Sequence, residues 1–301
     1  MKIVGTLNAD LLQGNSEDNL LEGLQGNDTI FGGSGNDTIL GQKGDDLLVG
    51  ESGFDVIQGG NGNDTIYVKT TEVKLFATAT SESNLAYGNQ GDDRIFGSEG
   101  NDTIYGNQGQ DVIVGMAGDD SLYGGLGDDT ISGINGRNRI FGGEGNDSLV
   151  GGNGKDIMAG GHDDDTIRGG RQNDTLLGGN GNDTLDGEGN DDVLVGNNDL
   201  IEPSSNNQDV WTGGAGKDSF QLGNEDTVFY QQNAESDLAI IKDFTSEDKI
   251  ILHGSPSDYL IAINGSDSEI YSGSTEKLEL IAKVENNTNL DLNEAYFDFK
   301  E

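Results

Sequence analysis

GGSGNDTILGQKGDDLLVG, residues 32–50, holds one nine-residue phrase twice and opens a third copy. Each copy runs glycine, a loose pair, glycine, one further residue, then Asp37 or Asp46, with an aliphatic two places on at Ile39 or Leu48. Extended outward, the frame begins blocks at Gly5, Gly14, Gly23, Gly32, Gly41, Gly50 and Gly59. It resumes at Gly88, Gly97, Gly106, Gly115, Gly124, Gly133, Gly142, Gly151, Gly160, Gly169, Gly178 and Gly187. Across these nineteen blocks the first position is always glycine, the eighth always Leu, Ile or Met, and the sixth aspartate in all but two, Asn19 and Asn138.

A period this short governs the whole fold. The aliphatic eighth position asks for burial, its neighbours are often Thr, Val or aromatic and suit a strand, and the six residues before them suit a turn. Strands of three residues make no sheet alone. They are expected to stack in parallel on the strand of a later coil, two blocks closing one coil of 18 residues, with Leu and Ile stacked between two sheets.

The chain has 301 residues, 55 acidic against 16 basic, a formal charge of -39, 50 glycines and two prolines. Low hydrophobicity with such charge is ordinarily a disorder signature, so a fold needs a counter-charge built into it. Nucleic acid and anionic membrane would be repelled, while divalent cations are attracted. Cysteine is absent, which excludes disulfides and thiolate metal sites. MKIVGTLNADLLQG has no Sec-type signal features, and no apolar run approaches the ~20 residues of a membrane span.

Glycine-rich turns let backbone carbonyls converge, and an aspartate closing each turn adds carboxylate oxygens. Convergent hard oxygens describe a calcium site; magnesium prefers a smaller octahedron that keeps its waters, and softer metals lack ligands. The expected metal aspartates are Asp28, Asp37, Asp46, Asp55, Asp64, Asp93, Asp102, Asp111, Asp120, Asp129, Asp147, Asp156, Asp165, Asp174, Asp183, Asp192, Asp209 and Asp218.

The blocks GGSGNDTIL, GGNGNDTIY and GGNGNDTLD resemble, at every defined position, the GGxGxDxUx nonapeptide of the RTX (repeats-in-toxin, haemolysin-type) calcium-binding family. The resemblance implies an all-β, right-handed parallel β-roll with each calcium shared between one turn and the turn 18 residues on. It implies ligand carbonyls from positions 2 and 4 of one turn and 1 and 3 of the next, together with both aspartates. Carried over, Gly33, Gly35 and Asp37 would share an ion with Gly50, Ser52 and Asp55, and Gly143, Gly145 and Asp147 with Gly160, His162 and Asp165. Fifteen shared sites are possible, and their charge of +30 would offset most of the -39. Without calcium such a chain should be largely unfolded.

Several stretches depart from the pattern. GINGRNRIF, Gly133 to Phe141, has Asn138 for aspartate between Arg137 and Arg139. Either guanidinium charge replaces a lost cation or the repeat has decayed and the arginines are solvated. Position 4 loses glycine at Asn8, Glu17, Asp163, Gln172 and Asn190, where weaker binding is expected. Residues 68–87 break the frame by 20, read as a flap or as a degenerate coil with a two-residue bulge. On the second reading Tyr67, Tyr87, Tyr105, Tyr123 and Phe141 stack on one face, as a glycan-binding row or as a ladder holding the sheet.

The roll is expected over 1–221, with irregular segments at 68–87 and 196–203, and Asp209/Trp211 and Asp218/Phe220 in register near its end. Residues 222–301 read as longer strands, including a hairpin about Asn264-Gly265, forming an antiparallel β cap over the open end. GGAGKDSF followed by DLAIIKDFTSEDKIIL resembles the segment closing RTX rolls in secreted bacterial proteins, whose uncleaved C-terminal signal directs type I export; the ending FDFKE departs from the apolar endings common there. That resemblance implies type I secretion machinery as a partner and an extracellular or cell-surface location.

No HExxH, GxSxG or cysteine is present, and His162 and His253 read as bystanders, so no enzyme is expected. Asp243, Asp248 and Asp258 read as solvated. Position 3 carries no threonine row of the kind ice-binding rolls present. The expected function is a secreted calcium-binding repeat protein with a structural or adhesive role, or alternatively a calcium-dependent module for a surface glycan or protein, or a remnant accessory module of a secreted enzyme.

Overall fold

The structure, a computed structural model, describes residues 1–68, 83–196, 208–222, 238–274 and 277–300. They form two compact units, Met1–Asn153 and Gly154–Glu301. Each is a parallel β-solenoid of two sheets, and no α-helix occurs among the described residues.

In the first unit the strands of alternate blocks pair in parallel, one block set per sheet. Leu20–Gln25, Thr38–Lys43 and Val56–Asn61 follow one another in one sheet, Thr29–Ser34 and Leu47–Ser52 in the other. The register is 18, as in Ile30↔Leu48 and Ile39↔Ile57. Eighth positions such as Leu21, Ile30, Ile39, Leu48 and Ile57 are fully buried between the sheets. Each stabilises by roughly 1.5–3 kcal/mol, an upper figure because the unfolded chain is partly collapsed.

Most of these strands are six residues long rather than the three expected, running from position 7 to position 3 of the next block, while Lys2–Val4, Leu11–Gln13 and Thr65–Tyr67 keep three. The pairing skips position 1, so the ladder breaks at that glycine and resumes. Position 1 is glycine for want of space: a Cβ on Gly41 would lie 2.3 Å from Asp46 Oδ2 and 2.6 Å from the Gly59 carbonyl oxygen.

Across the break at 68–87 the register of the flanking strands changes. Val56 pairs with Leu85 and Thr65 with Arg94, a register of 29 in place of 18. The flap expected there falls largely on residues 69–82, outside the described residues. Thr65–Tyr67 and Leu85–Gln90 lie in different sheets, which corrects the aromatic row. Tyr67 stacks on Phe96 in the other sheet (centroids 5.0 Å), while Tyr87, Tyr105, Tyr123 and Phe141 form one column at 5.1, 4.7 and 5.1 Å. Their interplanar angles are 9°, 9° and 6°, so both faces of Tyr105 and Tyr123 are covered by neighbouring rings. Sugar rings stack on open faces, and this geometry favours the ladder.

In the second unit parallel stacking outlives the sequence period. Leu185 pairs with Trp211, Trp211 with Ile241, Phe220 with Ile250 and Ile250 with Phe297, each coil absorbing an insertion. Trp211 and Phe220, both fully buried, lie 6.3 Å apart and nearly parallel, filling a wider core. The expected antiparallel strands are Tyr259–Asn264, Asp267–Ser274 and Lys277–Val284, the first two joined at Gly265-Ser266, at the place expected for the hairpin. Asp248 is buried in register with the turn aspartates rather than solvated. Asp243 is half-buried and accepts hydrogen bonds from the Gly213 and Gly214 N–H groups, while Asp258 is exposed, as expected, and accepts from Ser255.

Candidate metal-binding turns

Every sixth-position aspartate of the expected set is buried. In the first unit these are Asp28, Asp37, Asp46, Asp55, Asp64, Asp93, Asp102, Asp111, Asp120, Asp129 and Asp147; in the second, Asp156, Asp165, Asp174, Asp183, Asp192, Asp209 and Asp218. They stack in columns. Within each unit Oδ1 accepts the backbone N–H of the counterpart one coil earlier, Asp46 from Asp28 (2.7 Å), Asp55 from Asp37 (2.9 Å) and Asp192 from Asp174 (2.7 Å).

Oδ2 is left over. It is buried without a hydrogen-bond partner at Asp28, Asp37, Asp46, Asp64, Asp93, Asp111, Asp120, Asp129, Asp174, Asp183 and Asp192. A buried oxygen with unspent lone pairs costs of order 1–3 kcal/mol, more when ionised, and one in turn after turn is untenable unless something else binds it. Burial, with neighbouring carboxylates adding to it, pushes these acids up: Asp46 to about 6, Asp64 and Asp120 to about 7, Asp93 and Asp192 to about 8. Desolvation is the first cause in each case. The fold therefore demands a cation beside these oxygens or a proton on them.

The backbone supplies the remaining oxygens. Positions 2 and 4 take left-handed φ, as at Gly33 (107°) and Gly35 (108°), which turns their carbonyls toward the next coil. The Gly35 oxygen lies 1.9 Å from where a Gly53 Cβ would be. The later turn answers: the Ser52 carbonyl faces back and accepts the Gly35 N–H (2.9 Å), and the Gly50 oxygen lies 2.7 Å from a Cβ built on Gly32. Gly33, Gly35 and Asp37 thus face Gly50, Ser52 and Asp55. Gly143, Gly145 and Asp147 make the same kind of turn in the first unit; Gly160, His162 and Asp165 lie on a turn of the second, where the His162 ring is exposed and 3.0 Å from the Asn180 amide. Among the described residues no three Asp, Glu or His side chains converge, so a cation here takes most of its ligands from carbonyls. Hard oxygens, left-handed turns and an orphaned carboxylate oxygen fit calcium.

Departures fall differently from expectation. Asp163 (φ 73°), Gln172 (77°) and Asn190 (83°) keep the left-handed bend without glycine, so the weakening expected there has no basis in turn shape. Asn8 and Glu17 do not adopt it. The side chain at position 2, whose carbonyl alone was expected to matter, has more effect. Where it is Thr6 or Ser98, the hydroxyl and backbone N–H both bind the turn aspartate's Oδ2, at Asp10 and Asp102 (2.6–2.9 Å). A hydroxyl directly after the glycine that opens a block was the available signal.

The two asparagines at position 6 close the turn from within. Asn138 Nδ2 donates to the Gly136 carbonyl at position 4 of its own turn (3.3 Å), and Asn19 Nδ2 donates to Glu17 in the same way. An amide donor occupies the carbonyl that a cation would otherwise need. Arg137 pairs with the exposed position-5 Asp119 (3.2 Å), not with the buried column, so its guanidinium does not stand in for a lost ion there.

Comparison with known proteins agrees with the repeat. The family described as RTX calcium-binding nonapeptide repeat (4 copies) matches residues 4–39, 40–68, 78–113, 105–138, 132–167 and 160–194. No curated protein matches the chain. Among solved structures, the extracellular lipase LipA from Serratia marcescens is similar at 15% identity and TM-score 0.24, over 78% of this chain and 44% of that one. The chain therefore spans less than half the length of that structure, and nothing of its activity is carried over.

Proposed function

As the chain belongs to the family of RTX calcium-binding nonapeptide repeat proteins, we propose that it folds on extracellular calcium and serves as a structural or adhesive element at or beyond the cell surface. The observation that supports this most is the column of buried aspartates whose Oδ2 atoms lack partners, set between turns lined with carbonyls. The ligands are the aspartates at position 6 with carbonyls such as those of Gly33, Gly35, Gly50 and Ser52. Gly143, Gly145 and Asp147 on one turn, and Gly160, His162 and Asp165 on another, carry the same roles, His162 through its carbonyl.

Calcium supplies positive charge that a -39 chain lacks and a ligand for oxygens the fold leaves unspent. The residues do the rest: position-1 glycines make room, positions 2 and 4 aim carbonyls, and the eighth positions exclude water. Repeat proteins of this family are typically exported by type I secretion. Scarce calcium inside the cell keeps such a chain unfolded for a transporter, and abundant calcium outside folds it. Residues 1–221 carry the ions on this reading, and 222–301 close the roll and engage the secretion machinery. Native mass spectrometry of the calcium-loaded chain tests the ligand assignment: many bound ions, falling by about one or two with a single Asp46→Ala change, support it. An ion count near zero, or one unmoved by the change, refutes it.

A further inference from the structure

Position 5, just before each turn aspartate, forms a second column of hydrogen bonds that runs the opposite way. Its side-chain oxygen accepts the N–H of the position-5 residue one coil later: Asp18 from Asn36 (2.8 Å), Asn36 from Phe54 (3.0 Å), Asp45 from Asn63 (3.0 Å) and, in the second unit, Asp164 from Asn182 (2.8 Å). The position-6 aspartate accepts from the coil before, and the position-5 residue from the coil after. Two facing turns are thereby clipped from both sides, at the level where their carbonyls converge.

The repeats of this one chain show which property of position 5 counts. Asparagine and aspartate alternate there freely, Asn27, Asn36 and Asn63 beside Asp18, Asp45 and Asp92. Charge is exchanged while an Oδ1 on Cγ, two bonds beyond Cβ, is kept, which is what accepting an N–H requires. Ala9, Phe54 and Lys155 have no such oxygen. We propose that the position-5 Asn and Asp side chains are positioning residues for calcium, setting the spacing of two facing turns through their acceptor oxygen. Turn pairs that have the clip hold the ion tightly, and pairs that lack it release it first. The inference rests on the calcium reading above and adds to it a ranking of sites.

The test uses the full chain and hydrogen–deuterium exchange of turn peptides during a calcium titration. Asp45→Ala should raise the calcium midpoint for protection of 59–64 by about 2- to 10-fold, the effect of one hydrogen bond, and Asp45→Asn should restore it. In the second unit Lys155→Asn should lower the midpoint for 169–174 by a similar factor relative to Lys155→Ala, which removes the same charge without adding an acceptor. Asp45→Asn as weak as Asp45→Ala, or equal midpoints for the two Lys155 variants, would overturn the proposal while leaving calcium binding intact. A wild-type chain showing no calcium-dependent protection would instead remove the functional reading on which it rests.

Discussion

The turns ending at Asp120 and Asn138 lie on successive coils of one unit and are joined by the same rung, the Asp120 N–H donating to Asn138 Oδ1 at 3.1 Å. At Asp120 a carboxylate oxygen is buried without a partner and the acid is pushed up to about 7; at Asn138 an amide donor fills that place and binds the turn's own carbonyl. Both coils keep an isoleucine or leucine, Leu122 and Ile140, fully buried. The fold thus closes a turn in two ways, with an internal N–H or with something from outside, and the chain chooses the second almost everywhere.

Acidity attacks this comparison most broadly. For the chelated chain the folded-state carboxyls sit above their unfolded value, so the neutral form is favoured by folding, and that stability is complete below pH 4 and lost as pH rises through about 6 to 8. Circular dichroism of chelated protein should therefore show β signal gained on acidification from pH 8 toward 4, where calcium becomes dispensable. Protons and calcium compete for the same oxygens, so calcium affinity should fall over the same range.

Exchanging the two turn types sharpens it next. Asp120→Asn should stabilise the chelated form by about 1–2 kcal/mol and cost a bound ion, because it removes a desolvated carboxyl and adds an internal donor. Asn138→Asp should do the reverse. Chemical denaturation with and without calcium reads both.

Smaller still is the strain at position 2, where Gln42 takes φ 83°. Gln42→Gly should stabilise by about 1 kcal/mol in thermal unfolding, since the left-handed bend costs a side chain roughly that much. The exposed Arg137–Asp119 pair contributes least: Arg137→Ala should change stability by less than about 0.5 kcal/mol.

Much of this was legible in the sequence. The invariant eighth position gave the buried stack, and the sixth gave the carboxylate columns, because each rests on one residue type at one spacing. What escaped notice depends on backbone direction or on parity. Six-residue strands follow from position-1 glycines that bend the ladder without leaving the extended region. Tyr67 lies in the sheet opposite Tyr87 because the strands flanking the break pair at a register of 29, which composition does not reveal. Beyond 222 the period dissolves, yet Phe220, Ile250 and Phe297 still stack in parallel, since a coil tolerates insertions in its turns as long as its buried position returns. Position 5 carries no single-residue signal, because its two common residue types differ in charge while sharing the oxygen that matters.

The central claim is that calcium, and not the aliphatic stack alone, holds the turns together. Titrating calcium into chelated protein at pH 7.5, with magnesium as control and far-UV circular dichroism as the readout, tests it most directly. A cooperative gain of β signal specific to calcium is the predicted result; a chelated chain already folded and indifferent to calcium would contradict it.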